Sequence, residues 1–199
     1  FYSDLKYNPD YTSVINQKHY DRLNGLLADA KDHGAELVEI NPANEDFSQQ
    51  ESHKIPPTLV LNPTDEMQIM KEEIFGPLLP IKTYKDINEP INYINTNDKP
   101  LGLYYFGNNK NEETKVVNST TSGGVTVNDI MGHIQQNELG FGGVGPSGMG
   151  KYDGFDGFMN FSNNKPIYKQ IGFRLDKLLD AIRPPYKASI EDVLKKLLK

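Results

Sequence analysis

Cysteine is absent from all 199 residues of the chain. The chain therefore has no disulfide bond, no thiolate ligand for a metal ion and no thiol nucleophile of its own. Chains without disulfides are typical of reducing compartments, so we expect a cytoplasmic protein. Long apolar runs are absent too. None approaches the roughly 18 residues of a membrane-spanning helix, and the first residues do not resemble a signal peptide. The sequence predicts no interaction with a membrane.

Positive charge is in deficit, since 21 Lys and Arg side chains stand against 27 Asp and Glu, for a net charge of −6. No block of Lys or Arg interrupts this balance, which argues against nucleic acid as a partner. The four histidines show no metal-ligand spacing, so no metal site is predicted. No Gly-x-Ser-x-Gly motif marks a serine nucleophile.

Hydrophobic periodicity predicts an alternation of helices and strands. The predicted helices cover 17–33, 87–94 and 111–118, with one or two helical turns at 65–70, and the predicted strands cover 36–40, 57–61, 78–84, 101–106 and 124–127. Strands that alternate with helices are typical of an α/β fold with a mostly parallel sheet and flanking helices. The continuous apolar run at 101–106 predicts a strand that is buried on both faces.

The pattern changes towards the C-terminus. Residues 159–170 are polar and predicted to be extended, and a helix over 175–182 must end before two consecutive prolines. The last helix is predicted to begin at Ser189 and carries an apolar stripe. Such a stripe packs against its own subunit or a neighbouring one. The alternative, a helix on a membrane surface, is disfavoured because the polar face carries too few basic residues.

Glycine is concentrated in one segment, because residues 140–150 contain six glycines among eleven residues. The segment twice matches the Gly-x-Gly-x-x-Gly pattern of dinucleotide-binding folds, but that pattern requires a strand before it and a helix after it. Residues 132–138 show no strand alternation, Pro146 lies inside the segment, and 151–157 are not expected to begin a stable helix. The sequence therefore predicts a shaped loop whose glycines take positive φ or lie close against other atoms.

Four segments, read in order, resemble the C-terminal half of the aldehyde dehydrogenase superfamily. They are 72–77 (Glu-Glu-Ile-Phe-Gly-Pro), 100–106, 122–129 and the glycine loop at 140–150. The resemblance extends from about Tyr11 to Tyr186 and is closest to the class 3 branch and to bacterial coniferyl aldehyde dehydrogenases. Those proteins share the Ser-Gly-Gly-Val-Thr run, the Gly-Met-Gly end of the loop, and a tail with an aromatic-Arg pair followed by Pro-Pro-Tyr.

The resemblance implies a division of the chain. Residues 1–158 would form the C-terminal portion of the catalytic domain, and residues 159–199 an oligomerisation strand with a C-terminal helical tail. The family's cysteine nucleophile, general-base glutamate and dinucleotide-binding domain lie upstream of the matched region. Because the first residue, Phe1, is also not a methionine, we expect a C-terminal fragment of a longer enzyme. No catalytic residue is then expected within the chain, and its partners include its own N-terminal dinucleotide-binding domain.

The resemblance also implies a reaction, the oxidation of an aldehyde to a carboxylic acid with NAD or NADP by a homodimer or homotetramer. Coniferyl-type aromatic aldehydes and medium-chain aliphatic aldehydes both suit a class 3-like pocket, and the choice between NAD and NADP is made outside this chain. The chain by itself is expected to be inactive. The alternative is a non-catalytic module that keeps only the family's surface for subunit association.

Three residues are expected to contact the cofactor by resemblance. The carboxylate of Glu73 would accept hydrogen bonds from both hydroxyls of the nicotinamide ribose, a task suited to an acceptor-only group with two oxygens. Phe75 resembles the aromatic residue that packs beside the nicotinamide, and Phe141 resembles the one that lies over the active-site pocket. The family usually has proline directly before the latter, and here Gly140 replaces it. The alternative is that Glu72 and Glu73 are surface charges, that Phe75 fills the core and that Phe141 serves packing or anchors a glycine-flanked turn.

The aldehyde side of the pocket is expected directly after the last predicted strand. Ligands of open α/β sheets bind at the carboxyl ends of strands, and Asn128, Met131 and Ile134 follow such an end. In class 3 relatives this segment lines the substrate pocket. The alternative is ordinary packing for Met131 and Ile134 and structural hydrogen bonding for Asn128. His133 lies in the same segment, where it either transfers a proton or has no chemical role.

Overall fold

The computed structural model describes residues 1–169, 184–186 and 190–197. These residues form two compact units. The first unit comprises Phe1–Asn97 and Lys110–Thr120, and the second comprises Asp98–Asn109 and the described residues from Thr121 onward. Helices and β-strands are present in both units, as expected for an α/β protein.

Helix α1 (Gln17–Asp32) confirms the helix predicted for 17–33. Asn16 begins it, because its Oδ1 atom accepts a hydrogen bond of 3.0 Å from the backbone N–H of His19. Gly34 ends it with a φ of +87°, which glycine adopts without the steric penalty of a side chain. The face of α1 that points inward buries Leu23, Leu26 and Ala30.

The sheet of the first unit has three strands with β2 in the centre: β1 (Glu36–Glu39), β2 (Thr58–Leu61) and β3 (Leu78–Ile81). Strand β1 pairs antiparallel with β2, and β3 pairs parallel with β2. Burial alternates along β2, so that Thr58 and Val60 are buried. The core combines residues of α1 with residues of this sheet and of the segments beside β2. Its buried members are Leu23, Leu26, Ala30, Ile55, Val60, Met67, Ile69 and Leu78.

Three shorter helical elements complete the first unit: a 3-10 turn at Gln68–Met70, α2 (Asn88–Thr96) and α3 (Lys110–Ser119). They confirm the helical segments that the sequence predicts near these positions. At the start of α2, Oδ1 of Asp86 accepts a hydrogen bond of 2.8 Å from the backbone N–H of Asn88, which satisfies one of the free donors there. Hydrogen bonds from Asn88 are also the main cause of the lowered pKa of Asp86.

The second unit has a two-stranded parallel sheet and several short helical elements. These are β4 (Gly102–Tyr105), β5 (Gly124–Val127), α4 (Gly132–Gln135), a 3-10 turn at Gly145–Ser147, α5 (Gly154–Asn160) and α6 (Ile190–Leu197). Two of the three strand pairs in the described residues are parallel, but the strands form two sheets and not one. The burial predicted for 101–106 is wrong, because Tyr104 and Phe106 are 38% and 63% exposed. A sheet of two strands has too few neighbours to cover both faces.

Helix α5 contradicts two predictions, that 151–157 begin no helix and that the chain is extended from residue 159. The helix begins at Gly154, after Asp153 with a φ of +66°. Tertiary packing overrides the low helix propensity of glycine here. A Cβ atom on Gly154 would lie only 2.6 Å from the carbonyl oxygen of Glu138, so only glycine fits. Residues 163–169 form neither helix nor strand.

Helix α6 confirms the predicted terminal helix. Its predicted start at Ser189 and the predicted helix over 175–182 lie outside the described residues. Among the helices of the described segments, none is both long and apolar enough to cross a bilayer.

Candidate functional site

The motif at 72–77 is bound by Arg22 of α1. The Nη1 atom of Arg22 lies 3.1 Å from the carbonyl oxygen of Glu73 and 3.3 Å from Oε2 of Glu72. The Nη2 atom donates a further hydrogen bond to the carbonyl oxygen of Ile74. One guanidinium thus bonds three consecutive residues, which suits its planar array of five donors.

Glu72 and Glu73 are neighbours whose carboxylates differ in what they contact. The carboxylate of Glu72 pairs with Arg22. The side chain of Glu73 is exposed, and its carboxylate makes no hydrogen bond or ion pair within the described part of the chain. Both oxygens of Glu73 are therefore available as acceptors. Two free oxygens are compatible with a carboxylate that accepts hydrogen bonds from two hydroxyls of a ligand. They are also compatible with the alternative, a surface charge.

Phe75 has a backbone conformation that bulky residues seldom adopt. Its φ is +49°, in the left-handed region, and its ring is 76% exposed. The alternative that this ring fills the core is therefore wrong. A residue strained in this way costs on the order of 1–3 kcal/mol, and such residues cluster at functional sites.

Asn128, in the second unit, joins the ends of β4 and β5. Its Oδ1 atom accepts a hydrogen bond of 2.8 Å from the N–H of Gly107, and its Nδ2 atom donates one of 3.0 Å to the carbonyl oxygen of the same residue. Its φ is +57°, which asparagine tolerates better than most residues. Only one N–H and one lone pair of this amide are left for a ligand. The contacts match the alternative of structural hydrogen bonding.

Met131 and Ile134 lie one helical turn apart at α4. Met131 has a φ of +59° and is 47% exposed, and its Sδ atom lies 3.5 Å from the hydroxyl oxygen of Tyr104. Ile134 is half-buried, and its N–H donates a hydrogen bond of 3.0 Å to the carbonyl oxygen of Met131. Nothing in the sequence singles out Tyr104 within the segment 100–106. Its place on a strand next to the proposed pocket segment becomes evident only from the pairing of β4 with β5.

His133 is hydrogen-bonded to strand β5 and packs against it. Its Nδ1 atom lies 2.7 Å from Oγ1 of Thr126, which also accepts a hydrogen bond of 3.1 Å from the backbone N–H of His133. The ring lies over Gly124, where a Cβ atom would be 2.4 Å from Cδ2 of His133. The Nε2 atom is buried and has no hydrogen-bond partner. The imidazole is therefore held in one place by Thr126, and glycine at 124 provides the space for it.

The glycine loop brings Phe141 against Tyr152. Their backbones form an antiparallel bridge with N–O distances of 2.7 and 2.9 Å, and their rings meet edge to face with centroids 5.3 Å apart. A Cβ atom on Gly142 would lie 2.1 Å from the carbonyl oxygen of Gly150, and Gly150 itself has a φ of +76°. The sequence predicts that these glycines take positive φ or lie close against other atoms, and both reasons for glycine are confirmed. Helix α4 precedes the loop where a dinucleotide-binding motif would need a strand.

The predicted site residues fall into two groups. Glu73 and Phe75 share one loop of the first unit. Asn128, Met131, Ile134 and Phe141 belong to the second unit, where the ring of His133 lies 6.3 Å from that of Phe141 and 6.0 Å from that of Tyr104. No three His, Asp or Glu side chains converge as metal ligands within residues 1–169, 184–186 and 190–197.

Known proteins resemble this chain along nearly its whole length. A model described as "Aldehyde dehydrogenase family" matches residues 3–167. A probable coniferyl aldehyde dehydrogenase of Caulobacter vibrioides is 52% identical over 98% of this chain and 40% of its own length, and a coniferyl aldehyde dehydrogenase of Pseudomonas sp. is 47% identical over 99% and 40%. The solved structure of the substrate-bound state of Staphylococcus aureus AldH matches with a TM-score of 0.69 and 36% identity, over 97% of this chain and 40% of that one. The chain spans about 40% of the length of these relatives.

Proposed function

The chain belongs to the aldehyde dehydrogenase family, and we propose that it is the part of an NAD(P)-dependent aldehyde dehydrogenase that orients the nicotinamide and lines the aldehyde pocket. The observation that carries this proposal is the 72–77 loop. There, a carboxylate without a partner in the described residues and an exposed, strained aromatic ring stand two residues apart. The family match supports this role, because the resemblance assigns both residues of the motif to the nicotinamide site.

The residues of this loop fit a nicotinamide nucleotide. Both oxygens of Glu73 are free to accept hydrogen bonds from a ribose diol, and the exposed face of Phe75 offers an apolar surface to a planar ring. When bound, NAD(P) accepts the hydride that leaves the aldehyde carbon. Glu73 and Phe75 hold the ring in place for that transfer, and positioning of this kind lowers the barrier by removing unproductive orientations.

We propose that the second group of residues binds the aldehyde. Met131, Ile134 and Phe141 contribute apolar surface, while Asn128 holds the strand ends from which that surface extends. Two relatives at 52% and 47% identity are named for coniferyl aldehyde, which supports a coniferyl-type aromatic substrate. A medium-chain aliphatic aldehyde is the alternative substrate. Because the chain contains no cysteine, the thiol nucleophile must come from outside these 199 residues.

The test uses the full-length enzyme that carries this sequence. We expect it to oxidise coniferaldehyde with formation of NADH or NADPH, and to do so faster than it oxidises an aliphatic aldehyde of similar size. The 199-residue chain alone, assayed under the same conditions, should produce no reduced nicotinamide. Steady NADH formation by the isolated chain would refute the proposal that the nucleophile lies outside these 199 residues.

A non-catalytic association module is the second candidate, because one surface of the second unit is strongly apolar. Phe155 and Phe158 of α5 are 72% and 66% exposed with their rings stacked at 6.2 Å, and Phe161 is 85% exposed. Exposed patches of this kind mark association surfaces. Light scattering together with NAD titration separates the candidates, since a discrete oligomer that binds no cofactor favours the module.

Assembly and location are proposals that rest on the family resemblance. We propose a homodimer or homotetramer in the cytoplasm, with residues 159–199 as the oligomerisation segment behind a catalytic portion at 1–158. Removal of 159–199 from the full-length enzyme should lower its molar mass in light scattering to that of a monomer. An unchanged oligomer would contradict the role of this segment.

A further inference from the structure

We propose that Arg22 is a positioning residue for the cofactor half of the site. It would act by fixing the backbone that carries Glu73 and Phe75, without itself touching the cofactor. The inference rests on the proposed function, because it takes the 72–77 loop as the nicotinamide-binding element. It adds a residue of α1, some 50 positions away in sequence, to the set that determines cofactor binding.

Arg22 contacts the backbone on the N-terminal side of Phe75. Its guanidinium bonds the carbonyl oxygens of Glu73 and Ile74, the two residues directly before Phe75. The side chain of Arg22 is only 26% exposed, so these hydrogen bonds are partly shielded from water. Hydrogen bonds from a charged donor are about twice as strong as neutral ones. They are therefore well suited to hold a strained segment.

Helix α1 makes a second contact with the residues that lead to Phe75, at the first residue of the segment 68–74. Oδ2 of Asp29 accepts a hydrogen bond of 2.8 Å from the backbone N–H of Gln68. Arg22 and Asp29 are seven residues apart, about two helical turns, and so lie on one face of α1. Between them, these two side chains attach both ends of residues 68–74 to a rigid helix. A loop attached at both ends has little freedom to change the direction of Glu73.

The backbone of Phe75 requires such attachment. A bulky residue with a φ of +49° persists only where surrounding contacts impose that conformation. Without Arg22, the loop would relax towards ordinary φ values and carry Glu73 and the ring of Phe75 with it. The predicted consequence is weaker cofactor binding, with the chemistry of acylation left intact.

The competing role for Arg22 is direct binding of a cofactor phosphate by its positive charge. The contacts disfavour this role, because the guanidinium already pairs with the carboxylate of Glu72 at 3.3 Å and donates to two carbonyl oxygens. Few donors and little net charge are left for an anion. Positioning and direct binding differ in how an Arg22 variant combines with a Glu73 variant.

The experiment compares three variants of the full-length enzyme: Arg22→Ala, Arg22→Lys and the control Lys18→Ala. Lys18 is an exposed basic residue one turn earlier on α1, and its side chain makes no hydrogen bond or ion pair with the described residues. We expect Arg22→Ala to raise the KM for the cofactor about tenfold or more, the loss expected for charged hydrogen bonds. Ester hydrolysis, which needs no cofactor, should change less than about twofold. Arg22→Lys keeps the charge but not the planar fork, so it should behave like Arg22→Ala.

A double-mutant cycle of Arg22→Lys with Glu73→Gln completes the test. If Arg22 acts through Glu73, the two effects on the cofactor KM should be strongly non-additive. Additive effects would overturn the inference in favour of direct binding. So would an unchanged KM in both Arg22 variants, or a parallel loss of esterase and dehydrogenase activity. Normal dehydrogenase kinetics in Glu73→Gln itself, with neither the KM for the cofactor nor the turnover changed, would refute the proposed function and not merely the role of Arg22. If Arg22→Ala does not fold, Arg22→Lys carries the comparison.

Discussion

Gly76 lies directly against the side chain of Leu23. A Cβ atom at position 76 would be 2.5 Å from Cδ1 and 2.7 Å from Cδ2 of Leu23, which is fully buried in the core. The glycine of the 72–77 motif is thus required for space and not for a left-handed backbone. The left-handed residue of the motif is its neighbour Phe75. Close packing behind the loop and backbone strain within it therefore occur at adjacent positions.

Gly76→Ala should destabilise the protein by about 1–3 kcal/mol, because the added methyl group overpacks a filled core. Gly25→Ala is the matched control. Gly25 lies on the exposed side of α1 with nothing within 4 Å of a Cβ atom, so alanine should stabilise the helix by roughly 0.4–1 kcal/mol. Denaturant midpoints of the two variants should shift in opposite directions. A shift of the same sign in both would contradict the packing seen at Gly76.

Glu73→Gln in the full-length enzyme should slow aldehyde oxidation by at least about tenfold, because a neutral amide is a weaker acceptor for ribose hydroxyls than a carboxylate. Hydrolysis of an ester substrate should stay near the wild-type rate, since acylation does not need the cofactor. Glu66→Gln, at an exposed glutamate seven residues earlier and outside the 72–77 motif, serves as the control. Unchanged dehydrogenase turnover in Glu73→Gln would remove the proposed role of this carboxylate.

Thr126→Val should destabilise the second unit by roughly 1–3 kcal/mol, because it leaves Nδ1 and the backbone N–H of His133 without their partner. Thr126→Ser keeps the hydroxyl and should cost clearly less. Since His133 belongs to the same short helix as Ile134, the valine variant should also raise the KM for the aldehyde. Equal unfolding midpoints for valine and serine would show that the hydroxyl is not what holds His133.

Stability should fall at alkaline pH through the ionisation of Tyr11. Burial raises the pKa of Tyr11 from 10.0 to about 12, with a smaller contribution from Tyr2. Because the folded pKa lies above the unfolded one, this stabilising contribution is complete below pH 10 and disappears as the pH rises towards 12. Tyr11→Phe should start from a lower stability, since it lacks the hydrogen bond of 2.6 Å to the carbonyl oxygen of Ile55. It should then lose less stability than the wild type above pH 10. Denaturant midpoints measured against pH test this, and parallel curves would contradict it.

Much of the fold could be predicted because its signals are local. The apolar period of α1 and the glycine after it lie within one short stretch, and both the helix and its end are confirmed. The density of glycines at 140–150 also predicts close contacts along the loop, and Gly142 has such a contact. The sequence does not reveal helix α5, because its glycines are favoured only by the atoms that pack against them, such as the carbonyl oxygen of Glu138 at Gly154.

The residues of the candidate site also divide into those that a local motif reveals and those that only the packing reveals. Motif resemblance selects Glu73, Phe75 and Phe141, and their functional roles stay predictions. It does not select Arg22, which lies outside the four matching segments, and it does not single out Tyr104 within 100–106, because the contacts of both residues lie far along the chain. It also does not reveal that the amide of Asn128 is mostly engaged by Gly107.

The sequence by itself determined the family, the order of the strands and of the helices up to residue 127, and the crowding of the glycines at 140–150. Those properties depend on residue spacing and on backbone preferences that act over a few residues. Only the tertiary structure decided which carboxylate of the Glu72–Glu73 pair is left without a partner in the described residues, and which helix holds the loop. Contacts between residues distant in sequence depend on how the elements pack, and the guanidinium of Arg22 reaches this loop only once α1 has packed beside it.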